Sequence, residues 1–265
     1  MIRHSCNGTV FYQFASLACH PHVSHGIFTR RGGASCGPFN SLNVGNLVGD
    51  KPAAVRANCD LIFTALGIRR EQVVTAHQVH GAHVAVVGPS QRGTAVPAAD
   101  SLVSKAPGIA LMLAFADCLP LMLHDPSRHI IALVHAGWRG TIAQVVASTV
   151  AVLRQSFGCD PADILACLGP AIGPCCYEIG FDLAQKIREV FGPRSGLLVP
   201  QSDGTLHFDL PAAIRRQLEL AGVQHVENSE LCTSCHTEDF YSHRAENGRT
   251  GRFAAVLALR RPHIE

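Results

Sequence analysis

Two short, almost wholly apolar runs stand close together in the middle of the chain, Ile109 to Phe115 and Ile130 to Val134. Each is shorter than an ordinary globular helix and rich in branched residues, so each reads as a buried strand. A third run, Leu119 to Leu123, lies between them, and the Asp125-Pro126-Ser127-Arg128 that follows has the composition of a chain reversal. The stretch 108–140 is therefore predicted as strand, sharp break at Asp117 and Cys118, strand, turn, strand. That order puts Cys118 at one strand end and His135 at another, and reversal of the chain could bring thiol and imidazole together.

Elsewhere the apolar period changes to that of a helix. Val55, Cys59, Ile62 and Leu66 recur at helical spacing, with Asp50 expected as N-cap, Pro52 in the first turn and Gly67 as the stop. Ile142, Val145, Val146, Thr149, Leu153 and Phe157 form one stripe, which predicts a helix over 141–157 closed by Gly158. The start of that helix, directly after His135-Ala-Gly-Trp-Arg-Gly140, would offer N–H groups to an anion, and Arg139 would add charge. Two further amphipathic helices are expected over 181–191 and 210–221, the second with Asp209 as cap, Pro211 in its first turn and Gly222 beyond its end. Strand segments are expected over 72–79, 83–87, 164–168 and 253–259. In an extended 72–79 segment, alternation sends His77 and His80 to opposite faces.

Composition narrows the class. A chain of 265 residues that is 47% hydrophobic can bury one large core, and no stretch reads as a linker, so residues 1–265 are expected to form a single domain. The formal charge of +2 comes from Lys and Arg spread along the chain. A nucleic-acid footprint is not indicated, although a small anion could still be a ligand. Met1 to Ser24 lacks the apolar run of a signal peptide, and no later run reaches membrane-span length, so a cytoplasmic protein without a membrane partner is expected. Residues 26–49 are crowded with Gly, Ser and Asn, and loops of this kind often hold ligands. Arg31 and Asn43 are the candidate substrate contacts there; Arg30, Arg31, Gly32 and Gly33 could cradle an anion, but a plain glycine turn with solvated arginines explains them as well.

Eleven cysteines at irregular spacing, in a chain large enough to need no staples, read as reduced thiols. Cys6, Cys19, Cys36, Cys59 and Cys159 are expected to be small buried apolar residues. Cys175 and Cys176, being adjacent, are expected to point different ways and to pack in a loop; Cys232-Thr-Ser-Cys235 is one CxxC pair, which by itself assigns no role to Cys232 or Cys235. The reactive set is different. His80, Cys118 and His135 could supply one thiolate and two imidazoles to a zinc ion whose open position takes a water with a pKa near 7. The same Cys118 could instead be a nucleophile with His135 as its base, or both residues could simply be packed. Asp117 beside the thiol could orient a ligand, move a proton or hold a turn.

Several motifs occur in order: His77-Gln-Val-His-Gly81, Ala116-Asp-Cys118, His135-Ala-Gly-Trp-Arg-Gly140, Gly169-Pro-Ala-Ile-Gly-Pro174 with Tyr177-Glu178, Phe240-Tyr-Ser-His-Arg244 and Thr250-Gly-Arg252. Together they resemble the laccase-domain family, also called polyphenol oxidase or peptidoglycan editing factor, whose members are purine nucleoside phosphorylases; the resemblance runs over about 28–259. It implies an α+β fold, a mixed β-sheet sandwich flanked by helices and similar to the necrotizing-factor deamidases. It also implies a metal site at His80, Cys118 and His135, holding zinc or alternatively copper. The implied chemistry is phosphorolysis of adenosine, inosine and S-methyl-5'-thioadenosine, with adenosine deamination besides. Arg139, with Arg31 or Arg244, is then a candidate for phosphate or ribose contacts. A Cys–His amide hydrolase acting in peptidoglycan precursor editing is the alternative. A copper-dependent polyphenol oxidase is disfavoured, because copper oxidases need more clustered histidines than the order of this chain suggests. Two positions depart from the family pattern: Asn58 precedes Cys59 where an Asn-Arg pair is frequent, and Ser242-His243-Arg244 stands where Tyr-Arg-Arg is frequent.

Overall fold

Alternation along the central strands decides the layering. On strands Leu119–Asp125 and Ile130–Ala136, the residues Leu121, Leu123, Ala132 and Val134 pack against helices, while Met122, Ile131 and Leu133 face the opposite way into an apolar layer between two sheets. Strand Ile109–Phe115 alternates likewise, with Leu111 and Leu113 in that inter-sheet layer and Ala110 and Met112 against the helix Pro52–Leu66. All three strands are buried on both faces, as their unbroken apolar runs require. Each fully buried Leu or Ile in these layers contributes about 2 kcal/mol of hydrophobic stabilisation.

In the computed structural model residues 1–260 are described, and positions 261–265 of the expected domain lie outside them. The result is the expected α+β architecture: two mixed sheets packed face to face with helices on both outer surfaces. The first sheet runs in the order Ile2–Cys6, Thr9–Gln13, Val23–Phe28, Phe253–Leu259, Ile109–Phe115, Val73–Ala76, Ala95–Val96. The second runs His225–Asn228, Leu165–Leu168, Leu119–Asp125, Ile130–Ala136, Ser101–Ser104, Val84–Val86. A small third sheet joins Glu178–Ile179, Leu206–Phe208 and Leu198–Pro200. No helix among the described residues is long and apolar enough to cross a membrane.

The break at 116–118 carries the chain from the first sheet to the second, so Ile109–Phe115 and Leu119–Asp125 do not pair with each other. Leu119–Asp125 instead forms an antiparallel hairpin with Ile130–Ala136, in register His135↔Pro120. Asp125 makes the turn as expected, its Oδ1 accepting from the N–H groups of Ser127 and Arg128, both at 2.9 Å.

Local expectations fare unevenly. Helices Phe181–Phe191 and Leu210–Leu220 form as read, with Asp209 accepting from Ala212 N–H at 2.9 Å. Gly67 and Gly158 end their helices in the left-handed conformation that glycine adopts without penalty. Asp50, by contrast, is not the cap of Pro52–Leu66; its carboxylate accepts from Ser35 Oγ and Asn43 Nδ2 and organises the preceding loop. The helix expected over 141–157 is two, Trp138–Ile142 and Val145–Phe157, parted by Gln144 at φ +63°. Residues 77–81 are loop rather than strand, so the alternation argument for His77 and His80 fails. Of the five cysteines expected to be buried, only Cys159 is; Cys19 and Cys36 are exposed.

Candidate metal centre

Three chain segments converge where the first sheet hands over to the second. Cys118 ends the inter-sheet break, His135 stands near the end of Ile130–Ala136, and His80 comes from the loop 77–81. One ligand atom from each of the three lies within 4.8 Å of the others, and the two imidazoles meet edge to face at 4.8 Å between centroids. His80 at φ +60° and Asp117 at φ +79° are both in the left-handed region, where side chains other than glycine are seldom held unless their surroundings impose it. Gly137 shows how tight the site is: a Cβ there would stand 2.7 Å from Cys118 Sγ and 3.3 Å from His80 Cδ2.

Asp100 holds the arrangement together. It is fully buried, accepts from the N–H groups of Val79, His80 and Gly81 at 3.2, 3.0 and 2.7 Å, and accepts from His135 Nδ1–H at 2.8 Å. Burial pushes its carboxyl up, but the donors from His135 and Gly81 outweigh that and keep it ionised. With Nδ1 committed, His135 is left with Nε2 for a ligand. This is the carboxylate–histidine support usual behind metal-ligating imidazoles. Gln78 anchors the same loop by donating to Ala114 O at 2.9 Å and accepting from Ala114 N–H at 3.0 Å.

Electrostatics favour a thiolate. Burial raises the Cys118 thiol, yet the charge and hydrogen bond of His135 and the bond from His80 bring it down to about 6. Burial lowers His135, but the Cys118 charge and Asp100 raise it to about 9. A thiolate and two imidazoles, His135 giving up its Nε2 proton on binding, fit a zinc-type donor set with a fourth position left for an exchangeable ligand.

Comparison with known proteins decides the family. The family model described as multi-copper polyphenol oxidoreductase laccase matches residues 24–260. The chain belongs to this laccase family. It is 40% identical over 245 residues to the purine nucleoside phosphorylase YlmD of Geobacillus stearothermophilus, covering 89% of each chain. It is 31% identical over 261 residues to a purine nucleoside phosphorylase of Bacteroides thetaiotaomicron, covering 93% of this chain and 95% of that one. The crystal structure of YlmD from Geobacillus stearothermophilus superposes with a TM-score of 0.91 at 37% identity, covering 97% and 98% of the two chains.

Around His80, Cys118 and His135, the other residues singled out from the sequence take separate places. Arg139 is exposed, stacked 4.2 Å over the Trp138 ring, and no carboxylate among the described residues pairs with it. Arg244 lies 5.3 Å over the Tyr177 ring and donates to the carbonyls of Glu178 at 2.9 Å and Cys176 at 3.3 Å. Tyr177 feels the charges of Cys118, Asp117, Arg139 and Arg244 together and is held neutral, burial being the largest cause. Both oxygens of Asp117 are occupied, one by Thr233 Oγ1 and one by the Arg244 N–H, each at 2.7 Å. Asp117 thus ties two loops to the backbone beside Cys118. Arg31 is paired with Asp239, and Arg30 donates to Glu246 at 3.0 Å, so both guanidinium groups, open in sequence to an anion or to solvent, take part in ion pairs. Gly32 and Gly33 serve close approach, since a Cβ on either would overlap Gly8 or Ser41 backbone. Asn43 is fully buried; its Oδ1 accepts from the N–H groups of Gly45 and Arg252 at 2.8 Å, which makes it a support of the Arg252 segment.

Sequence reasoning passed over Asp100, an acid directly before the strand Ser101–Ser104; its full burial in the fold requires the partners it has. It also missed two clusters. His20, His22 and His124 gather at the far end of strand Leu119–Asp125, so clustered histidines do occur in the fold; His22 and His124 share a 3.2 Å hydrogen bond between their Nε2 atoms, and His124 Nδ1 reaches Ile130 O at 3.0 Å. Cys175, Cys176, Cys232 and Cys235 form the other, which corrects the expectation that the adjacent pair points different ways.

Proposed function

We propose that the chain is a zinc-dependent purine nucleoside phosphorylase that cleaves adenosine, inosine and S-methyl-5'-thioadenosine with phosphate and also deaminates adenosine, working in the cytoplasm as one catalytic domain over residues 1–265. The observation that carries this reading is the His80, Cys118 and His135 triad, braced by Asp100. The names of the relatives support phosphorolysis; the donor set supports zinc. Zinc held by these three side chains would act as a Lewis acid toward an oxygen of a bound ligand.

The protein's own groups do the rest. Phosphorolysis needs phosphate placed against the sugar's anomeric carbon and compensation of charge as the purine departs. Arg139 supplies a guanidinium that no carboxylate among the described residues pairs with, and Arg244, stacked on Tyr177, presents a second cation over an aromatic ring to which a sugar or base can pack. Asp117 is a positioning residue in this scheme, because its oxygens are already committed to Thr233 and Arg244. Asn43 and Arg31 act at one remove, through the Arg252 segment and the Asp239 turn.

The test is release of adenine or hypoxanthine from adenosine and inosine, with and without phosphate, in wild type and Cys118→Ser, with bound zinc counted in the same samples. Base release that needs phosphate and Cys118, and falls at least about 10²-fold in the variant, is expected for a group central to the site. Zinc-loaded, folded wild type that releases no base under these conditions overturns the reading.

A second reading has one observation in its favour. Cys118, His135 and Asp100 stand in the order nucleophile, base and orienting carboxylate. That arrangement suits amide hydrolysis in peptidoglycan precursor editing. Such an activity would survive complete chelation and be abolished by alkylating Cys118, whereas phosphorolysis through the metal centre would be lost on chelation.

A further inference from the structure

The four-cysteine cluster lies outside the triad and is built by two loops that meet edge to edge. Ala171 and Cys232 form an isolated parallel bridge, with Ala171 N–H donating to Leu231 O at 3.2 Å and Thr233 N–H to Ala171 O at 3.0 Å. Beyond the bridge each loop turns. Cys176 and Tyr177 N–H groups both donate to Gly173 O at 3.0 Å, and Cys235 and His236 N–H groups donate to Cys232 O at 3.2 and 3.1 Å. These two turns aim four sulfurs at one point. All four lie within 4.8 Å of one another, with Cys235 Sγ 3.5 Å from Cys175 Sγ and 3.4 Å from Cys176 Sγ. Four sulfurs at about 2.3 Å from one zinc ion stand roughly 3.8 Å apart, so this is the spacing of a tetrahedral site. Gly173 N–H donates to Cys232 Sγ at 3.3 Å, a contact that stabilises a thiolate.

We infer that Cys175, Cys176, Cys232 and Cys235 bind a second, structural zinc ion that clamps the loop 169–178 to the loop 229–236. On binding, four thiols release their protons and four thiolates enclose the cation, leaving a net charge of −2 on the unit; no electron is transferred. The clamp bears on the candidate active site from behind. One loop carries Tyr177 and the Cys176 and Glu178 carbonyls that hold Arg244, and the other carries Thr233, which holds Asp117 next to Cys118. A four-thiolate site has no open position, so its ion takes no part in chemistry.

The test begins with Cys118→Ser, which leaves all four cysteines intact and removes a ligand of the other centre. Purified under reductant and dialysed with zinc, it is expected to retain one equivalent per chain, and to keep it when His22→Ala is added. Adding Cys232→Ser and Cys235→Ser is expected to remove that equivalent. Replacing the zinc by cobalt in Cys118→Ser should give the intense sulfur-to-cobalt charge-transfer absorption of a four-thiolate site. In an otherwise wild-type chain, Cys235→Ser is expected to lose this equivalent alone, to melt at lower temperature and to raise KM for nucleoside more than it lowers kcat. Folded Cys118→Ser that holds no zinc, or zinc that survives loss of Cys232 and Cys235, would each overturn the inference. Because the count is made without assaying turnover, it stands or falls separately from the phosphorylase reading.

Discussion

At the scale of single residues, space around Cys118 is the governing quantity. Gly137 is in an ordinary extended conformation at φ −85°, so its identity is not required by its backbone; it is required because a methyl group would press on Cys118 Sγ and His80 Cδ2. Gly137→Ala is therefore expected to displace the thiolate or the imidazole while leaving the fold intact. A misplacement approaching 1 Å in such a site costs about 10²-fold in rate. The prediction is a variant with a wild-type melting curve, weakened zinc retention and phosphorolysis down by about that factor; wild-type zinc affinity and rate would show that the site relaxes freely around the methyl. Asp100 acts at the same scale but through a different cause, since its four donors fix the His135 ring and the 79–81 backbone at once.

At the scale of elements, the termini of helices and strands do the positioning. Leu210–Leu220 begins with Asp209 Oδ1 on Ala212 N–H and packs Ile214 and Leu218 into the helical side of the second sheet, while Gln217 donates to Thr141 O at 2.6 Å beneath the short helix that carries Arg139. Removing the cap with Asp209→Ala should cost about 1 kcal/mol of stability, read as a lower urea midpoint, with zinc content unchanged. No change in midpoint would show that tertiary packing alone holds the helix start. At Gln144 the chain turns from Trp138–Ile142 into Val145–Phe157, with Val145 and Val146 in the core and Arg139 at the surface.

At the scale of the whole molecule, two buried histidines tie stability to pH. His25 accepts from Phe14 N–H at 2.8 Å, and burial, opposed by Glu227, lowers its pKa to about 4. His124 is likewise lowered to about 4 by burial, opposed by its hydrogen bond to Ile130. The unfolded chain takes up protons on both near pH 6.5, whereas the folded chain refuses them until about pH 4. Stability is thus fully present above about pH 6.5 and falls as pH drops toward 4, by up to about 1.4 kcal/mol per pH unit for each histidine. Urea unfolding at pH 7, 6 and 5 checks this: the midpoint should fall steadily, and His25→Gln should flatten the slope. A midpoint independent of pH in that range would refute it.

What the order of residues determined on its own was the local hydrophobic period and its interruptions. The three central strands, the turn at Asp125, the Asp209-capped helix and the glycine stops were legible because each depends on neighbours within a few positions. The triad was legible too, though by the resemblance of its motifs and not by spacing, since residues 80, 118 and 135 form no compact ligand pattern. Tertiary structure alone decided the rest. The break at 116–118 could have closed a hairpin; packing of two sheets face to face made it a crossover and so set Cys118 against His135. Asp100 lies 35 residues from His135, Thr233 lies 116 from Asp117, and the four cysteines come from segments about sixty residues apart. Contacts at such separations form only when burial of the apolar layers draws distant loops to one edge, and a local pattern carries no record of them.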